Sequence, residues 1–234
     1  MDKQGPTKAK LRTGFVIAAP QNVRESEGVT IMLRRQVMIT ICLGFSLVLA
    51  GVARAQLACS LGPGGDSYYN PNSDMNATPD ALRIAHKVAN ALCSGSCGIA
   101  LIRNPTAGNV LTFVFPNGAA KIVYKPQFLQ SLEKGLGDGA VFGIFAHEVG
   151  HVVDGRGNVA WMPESWDREL RADAWAGCAL ARADLPEDQT KAALRAIVQY
   201  PSPTHPARDL RVPALELGYQ SCGGTGNLPR QGTD

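Results

Sequence analysis

The sequence predicts an α+β fold, mainly helical, with a small β-sheet beside one long helix. Three observations predict it. Apolar residues recur at helical spacing in several segments between Thr78 and Leu217. Short runs rich in β-branched and aromatic residues cluster between Gly98 and Tyr124. The chain from Gln56 onward is long enough for one domain with a real core and too short for two.

Met32 to Ala55 begins with two arginines, continues as an apolar run and ends in Ala53-Arg54-Ala55. That is the layout of a secretory signal peptide with its cleavage site. The apolar run, bounded by Arg35 and Arg54, is shorter than the roughly 20 residues of a comfortable membrane span. A single retained membrane anchor is the competing reading. Residues 1–31 are mixed and polar, and read as a mis-assigned start or an unstructured extension. Cleavage after Ala55 is expected to give an exported chain, periplasmic or secreted, with no stable membrane insertion.

Eight of the 23 Lys and Arg residues lie in residues 1–55, against three of the 20 acids. The remainder carries 15 basic and 17 acidic residues, a formal charge of −2. Nucleic acid is therefore not an expected partner, nor is an anionic membrane surface.

Of the six cysteines, Cys42 belongs to the signal segment. In an oxidising compartment the others are expected to pair as Cys93–Cys97 and Cys178–Cys222, leaving Cys59 odd. No CxxC pair supports a zinc-thiolate site. A lipid anchor on Cys59 is disfavoured by Gln56 where an aliphatic residue is required.

Residues 56–77, rich in Gly, Pro, Asn and Ser, read as an irregular segment. Residues 78–222 form the predicted domain, and 223–234 a flexible tail. Thr78-Pro79 is a helix start, with an apolar stripe running to Cys93. Gly98–Arg103 is a strand. Val110–Phe115 and Ala120–Tyr124 flank Pro116-Asn117-Gly118 and predict a hairpin. A short helix is expected over Lys125–Lys134, and a longer one capped by Asp138 and ended by Asp154-Gly155. Further helices are expected from Pro163–Ser165 to about Asp184, from Pro186 to Gln199, and briefly near Arg211–Leu217.

The helix that starts at Asp138 holds His147-Glu148-Val149-Gly150-His151. Positions four apart share a helix face, so both imidazoles can take sites on one zinc ion, with Glu148 beside it as a base for water. A pair of ordinary histidines matching a five-letter pattern is the competing reading. Gly at 154 and His at 157 would be needed for a third histidine ligand; Asp154 and Gly157 stand there instead. Glu169 and Asp173 are again four apart. Glu169 can bind the metal while Asp173 accepts a hydrogen bond from the far nitrogen of a ligand histidine. Asp154, Glu164 and Asp167 are rival ligands, each without an i+4 carboxylate partner. His86 reads as a surface or half-buried histidine, and Trp161, Trp166 and Trp175 as core packing.

The blocks AHEVGH, ELRADAWAGCAL and THPARDLR, in that order, resemble the membrane-associated gluzincins that include the CAAX prenyl protease, the heat-shock protease HtpX and their small soluble relatives. The resemblance spans roughly residues 80–220. It implies a zincin-like fold in which the edge strand of a sheet beside the active-site helix receives substrate backbone. It also implies one zinc ion on His147, His151 and Glu169, with Glu148 as catalytic base. His205 is similar to a family histidine that faces the zinc, and Arg211 to an arginine six positions later. Both are expected to stabilise the oxyanion or to hold the site in order. The expected activity is zinc-dependent endopeptidase action on a protein or peptide substrate. No flanking membrane helices accompany the motif, so a prenylated or membrane-embedded substrate is not implied. Two other readings stand beside it: a zinc-stabilised binding or quality-control module, and a latent protease whose zinc is blocked by His205.

Overall fold

The computed structural model describes residues 56–61, 69–93, 97–199 and 205–229. The predicted signal peptide and the segments 200–204 and 230–234 lie outside the described residues. Everything described belongs to one folded unit, Ala50–Asp234. Its strands are β1 (Gln56–Leu61), β2 (Met75–Asn76), β3 (Ile99–Arg103), β4 (Val110–Val114) and β5 (Ala120–Tyr124). Its helices are α1 (Pro79–Leu92), α2 (Pro126–Leu136), α3 (Asp138–Asp154), α4 (Arg168–Arg182), α5 (Glu187–Val198) and α6 (Arg208–Ser221). The α+β class expected from the sequence is thus observed. Among the described residues no helix is long and apolar enough to cross a membrane.

The sheet has the order β1-β4-β5-β3-β2, with β3 and β5 parallel and the other pairs antiparallel. The β4–β5 hairpin turns where predicted. Gly118 takes φ 79° there and its N–H donates to the carbonyl of Phe115. Alternation gives the sheet two faces. Val110, Ile122 and Tyr124 pack into the main core with the helices, whereas Leu111 and Val123 form a separate outer cluster with Ala107. The segment 56–77, expected to be irregular, instead supplies β1 and β2. Pairing with β4 and β3 overrides its local turn composition, because a strand is stabilised by a neighbour distant in sequence.

α3 is apolar on almost every side, which predicts a helix packed all round. Every residue from Gly139 to Val152 is buried. The helix touches α1, α2, α4, α5 and β4. Asp138 is not its cap. Gly137 holds that position at φ 86°, a conformation that favours glycine. Asp138 is the first helical residue and accepts a hydrogen bond from Arg83 at 3.1 Å. α4 starts later than expected, because the Asp167 side chain accepts from the N–H groups of Glu169 (3.1 Å) and Leu170 (2.9 Å).

α6 is longer than the brief stretch expected. Pro213 and Gly218 argue against helix on propensity alone. Pro213 is exposed, so the carbonyl that its ring leaves unbonded can face water. Gly218 allows the helix to dock: a Cβ there would lie 1.7 Å from the Ala174 carbonyl oxygen, and one at Gly177 2.0 Å from that of Leu215. α4 and α6 therefore meet backbone to backbone. The predicted Cys178–Cys222 disulfide closes the same interface, and Cys93–Cys97 is also formed. The tail expected to be flexible returns Leu228 to the main core.

Candidate metal centre

α3 turns His147 and His151 to one face, with ring centroids 4.8 Å apart and ring planes near perpendicular. Their Nε2 atoms stand 3.2 Å from each other. Glu169, in the first turn of α4, brings Oε2 to 3.2 Å from Nε2 of His147 and Oε1 to 3.6 Å from Nε2 of His151. Gly150 makes that approach possible, since a Cβ there would lie 2.7 Å from the Ala172 carbonyl oxygen. His147, His151 and Glu169 form a group that can hold a metal ion. One donor atom from each residue lies within 4.8 Å of the others, near the spacing of about 3.3–3.5 Å between neighbouring donors of a tetrahedral zinc site.

The outer contacts fit the same purpose. Nδ1 of His147 lies 2.8 Å from Oδ1 of Asp173, which leaves Nε2 facing the other ligands. Arg211 grips Asp173 with two groups, Nε to Oδ2 at 2.7 Å and Nη2 to Oδ1 at 2.8 Å, and donates through Nη1 to the carbonyl of Ile197 at 2.5 Å. Arg211, Asp173 and His147 are all shut from solvent. Arg211 thus stands behind the ligands and ties α6, α4 and α5 together. His205, just before α6, places Nε2 3.1 Å from Oε2 of Glu169.

Glu148 is 0% exposed. Its Oε2 accepts a hydrogen bond from the Thr112 hydroxyl of β4. Its Oε1 has no hydrogen-bond partner among the described residues. The sequence reading missed Thr112. The available signal was one hydroxyl on the helix-facing side of an otherwise apolar strand.

Burial pulls the His147 pKa down, but hydrogen bonds and charge from Asp173 and Glu169 outweigh it and raise it to about 9. Burial pushes Glu169 up, and the hydrogen bonds of His147 and His151 more than reverse this, leaving it below the usual carboxylate range. Asp173 is also lowered: burial opposes, and Arg211 and His147 prevail. For His205 burial wins, assisted by the charges of His147 and Arg211, and lowers it to about 4.

These shifts give a pH signature. In chelator-treated protein, the stabilisation from protonated His147 is complete below pH 6.5 and is lost as pH rises to about 9. The lowered carboxylates stay ionised, and His205 neutral, throughout that window. The melting temperature of the chelated protein is therefore expected to fall from pH 6.5 to 9. Metal binding needs neutral His147, so the metal-loaded protein should lack this decline. A flat profile after chelation would contradict the assignment.

The rival ligands are committed elsewhere. Asp154 pairs with Arg171 at 2.8 Å, Asp167 caps α4, and Glu164 is exposed. His86 is exposed on α1. Trp161 and Trp175 pack edge to face at 5.4 Å. No family model matches the chain, and neither a curated protein nor a solved structure does.

Proposed function

We propose that the chain is an exported zinc endopeptidase of the gluzincin type, with a zincin-like fold similar to that of the CAAX protease and HtpX family. One observation carries this reading: a buried carboxylate, Glu148, which follows the grouped donor His147 in α3, holds one oxygen on Thr112 and keeps the other without a hydrogen-bond partner among the described residues. A site that served only to stabilise the fold would have no use for such a group. Two imidazoles and one carboxylate are a donor set that suits zinc. Zinc held by His147, His151 and Glu169 would lower the pKa of water to about 7 and polarise the scissile carbonyl.

The chain's own residues do the rest. Glu148 takes a proton from the attacking water at Oε1 and passes it to the leaving amine. Thr112 holds the opposite oxygen and so fixes the angle of the carboxylate. Asp173 keeps the proton of His147 on Nδ1, and Arg211 keeps Asp173 ionised and in place. His205 lies close enough to Glu169 for its ring to donate to an oxygen that gains charge in the reaction. Digestion of casein or a peptide library tests the reading. Cleavage is expected to stop on chelation and return with one equivalent of zinc. A chain that binds zinc and cuts nothing would be a zinc-stabilised binding module.

A further inference from the structure

Glu148 and His147 are 0% exposed, and His151 and His205 nearly so. A peptide bond reaches Glu148 only if part of the chain moves aside. The strand nearest the carboxylate is β4, through Thr112. The outer edge of β4 is covered by β1, in the register Cys59↔Thr112, Ser60↔Leu111 and Leu61↔Val110. β1 also touches α3, the helix that carries the motif. An extended backbone thus already lies along the edge of β4, opposite the residue that holds the base.

The pairing of that backbone is interrupted. The register shifts between Leu57 and Cys59, leaving Ala58 outside the pairing, and such a bulge interrupts the ladder beside Thr112. Among the described residues β1 is the end strand of the sheet, paired with β4 alone. β4 and β5 contribute Val110, Ile122 and Tyr124 to the main core and cannot leave without unfolding it.

We propose that β1 is an exchangeable strand occupying the substrate position, and that a substrate peptide binds by replacing it, antiparallel to β4. The inference rests on the peptidase reading for its consequence, although strand exchange itself can be measured by binding alone. It also names the substrate class. Gln56-Leu-Ala-Cys-Ser-Leu61 is uncharged, with small and aliphatic residues. The segment that replaces it should be extended, neutral and of similar side-chain size. Main-chain pairing would supply affinity and alternate side chains selectivity, as in other strand additions.

The test uses the full chain with Cys59→Pro and Ser60→Pro together. Adjacent residues of an antiparallel strand direct their N–H groups to opposite sides, so the pair must remove a bond to β4. The probe is a fluorescent peptide of residues 56–61 carrying Cys59→Ser. The variant is expected to bind it at least tenfold more tightly than the unaltered chain, read by anisotropy. It should also cleave a neutral peptide library at least tenfold faster, with the probe as competitive inhibitor. Tighter probe binding without cleavage supports the exchange and removes the peptidase reading. Equal binding by both chains overturns the exchange whatever the activity. Should the double variant fail to fold, Leu57→Cys with Phe113→Cys in a Cys59→Ser chain ties β1 to β4. The oxidised form should then neither bind the probe nor cleave, and binding or cleavage at the unaltered rate overturns the proposal.

Discussion

Glu148→Gln is expected to keep its metal and to lose peptide hydrolysis by about a hundred- to ten-thousandfold, the range for removing a general base. Glutamine has nearly the shape of glutamate and can still accept from Thr112 through its carbonyl oxygen. It cannot take a proton from water at the position of Oε1, the oxygen without a partner. Because Glu148 is not among the three grouped donors, metal content should be unchanged. Steady-state cleavage of a peptide library beside a metal assay decides this. Retained turnover would show that the base lies elsewhere.

Asp173→Ala should have the largest effect on stability. Its carboxylate is shared by His147 on one oxygen and by Arg211 on both, with all three side chains shut from solvent. Removing it deprives a fully buried guanidinium of its counter-charge, a loss of about 3–5 kcal/mol. Metal affinity should fall with it by about ten- to a hundredfold, because His147 loses the acceptor that fixes its tautomer. Denaturant unfolding and metal titration measure the two effects separately. Replacing both charges, Asp173→Leu with Arg211→Met, should recover much of the stability while metal affinity stays low. Equal stability in Asp173→Ala and the unaltered chain would mean that Arg211 is neutralised by another group.

The parts of the site legible in the sequence are those whose geometry is local. His147 with His151, and Glu169 with Asp173, are each four apart on a helix, and helical geometry alone aligns each pair. The partnership of Asp173 with Arg211, 38 residues away, is not local and could not be read as a pair. The sequence placed Arg211 at the site through its family resemblance, whereas its observed contacts are to Asp173 and the Ile197 carbonyl. Thr112 was hidden because threonine is an ordinary strand residue, and only the packing of β4 on α3 gives it a task. β1 and most of α6 were missed for one common reason. Turn-forming residues and Pro213 lower local propensity, and tertiary pairing with β4 and α4 overrides it.

The proposed chemistry stands on His147, His151 and Glu169 together holding one metal ion. Elemental analysis of the purified chain, set beside His151→Ala and Glu169→Ala prepared in the same way, tests it most directly. One zinc is expected per unaltered chain, with a near-complete loss in both variants, each still folded by circular dichroism. Full zinc occupancy in either folded variant would contradict it.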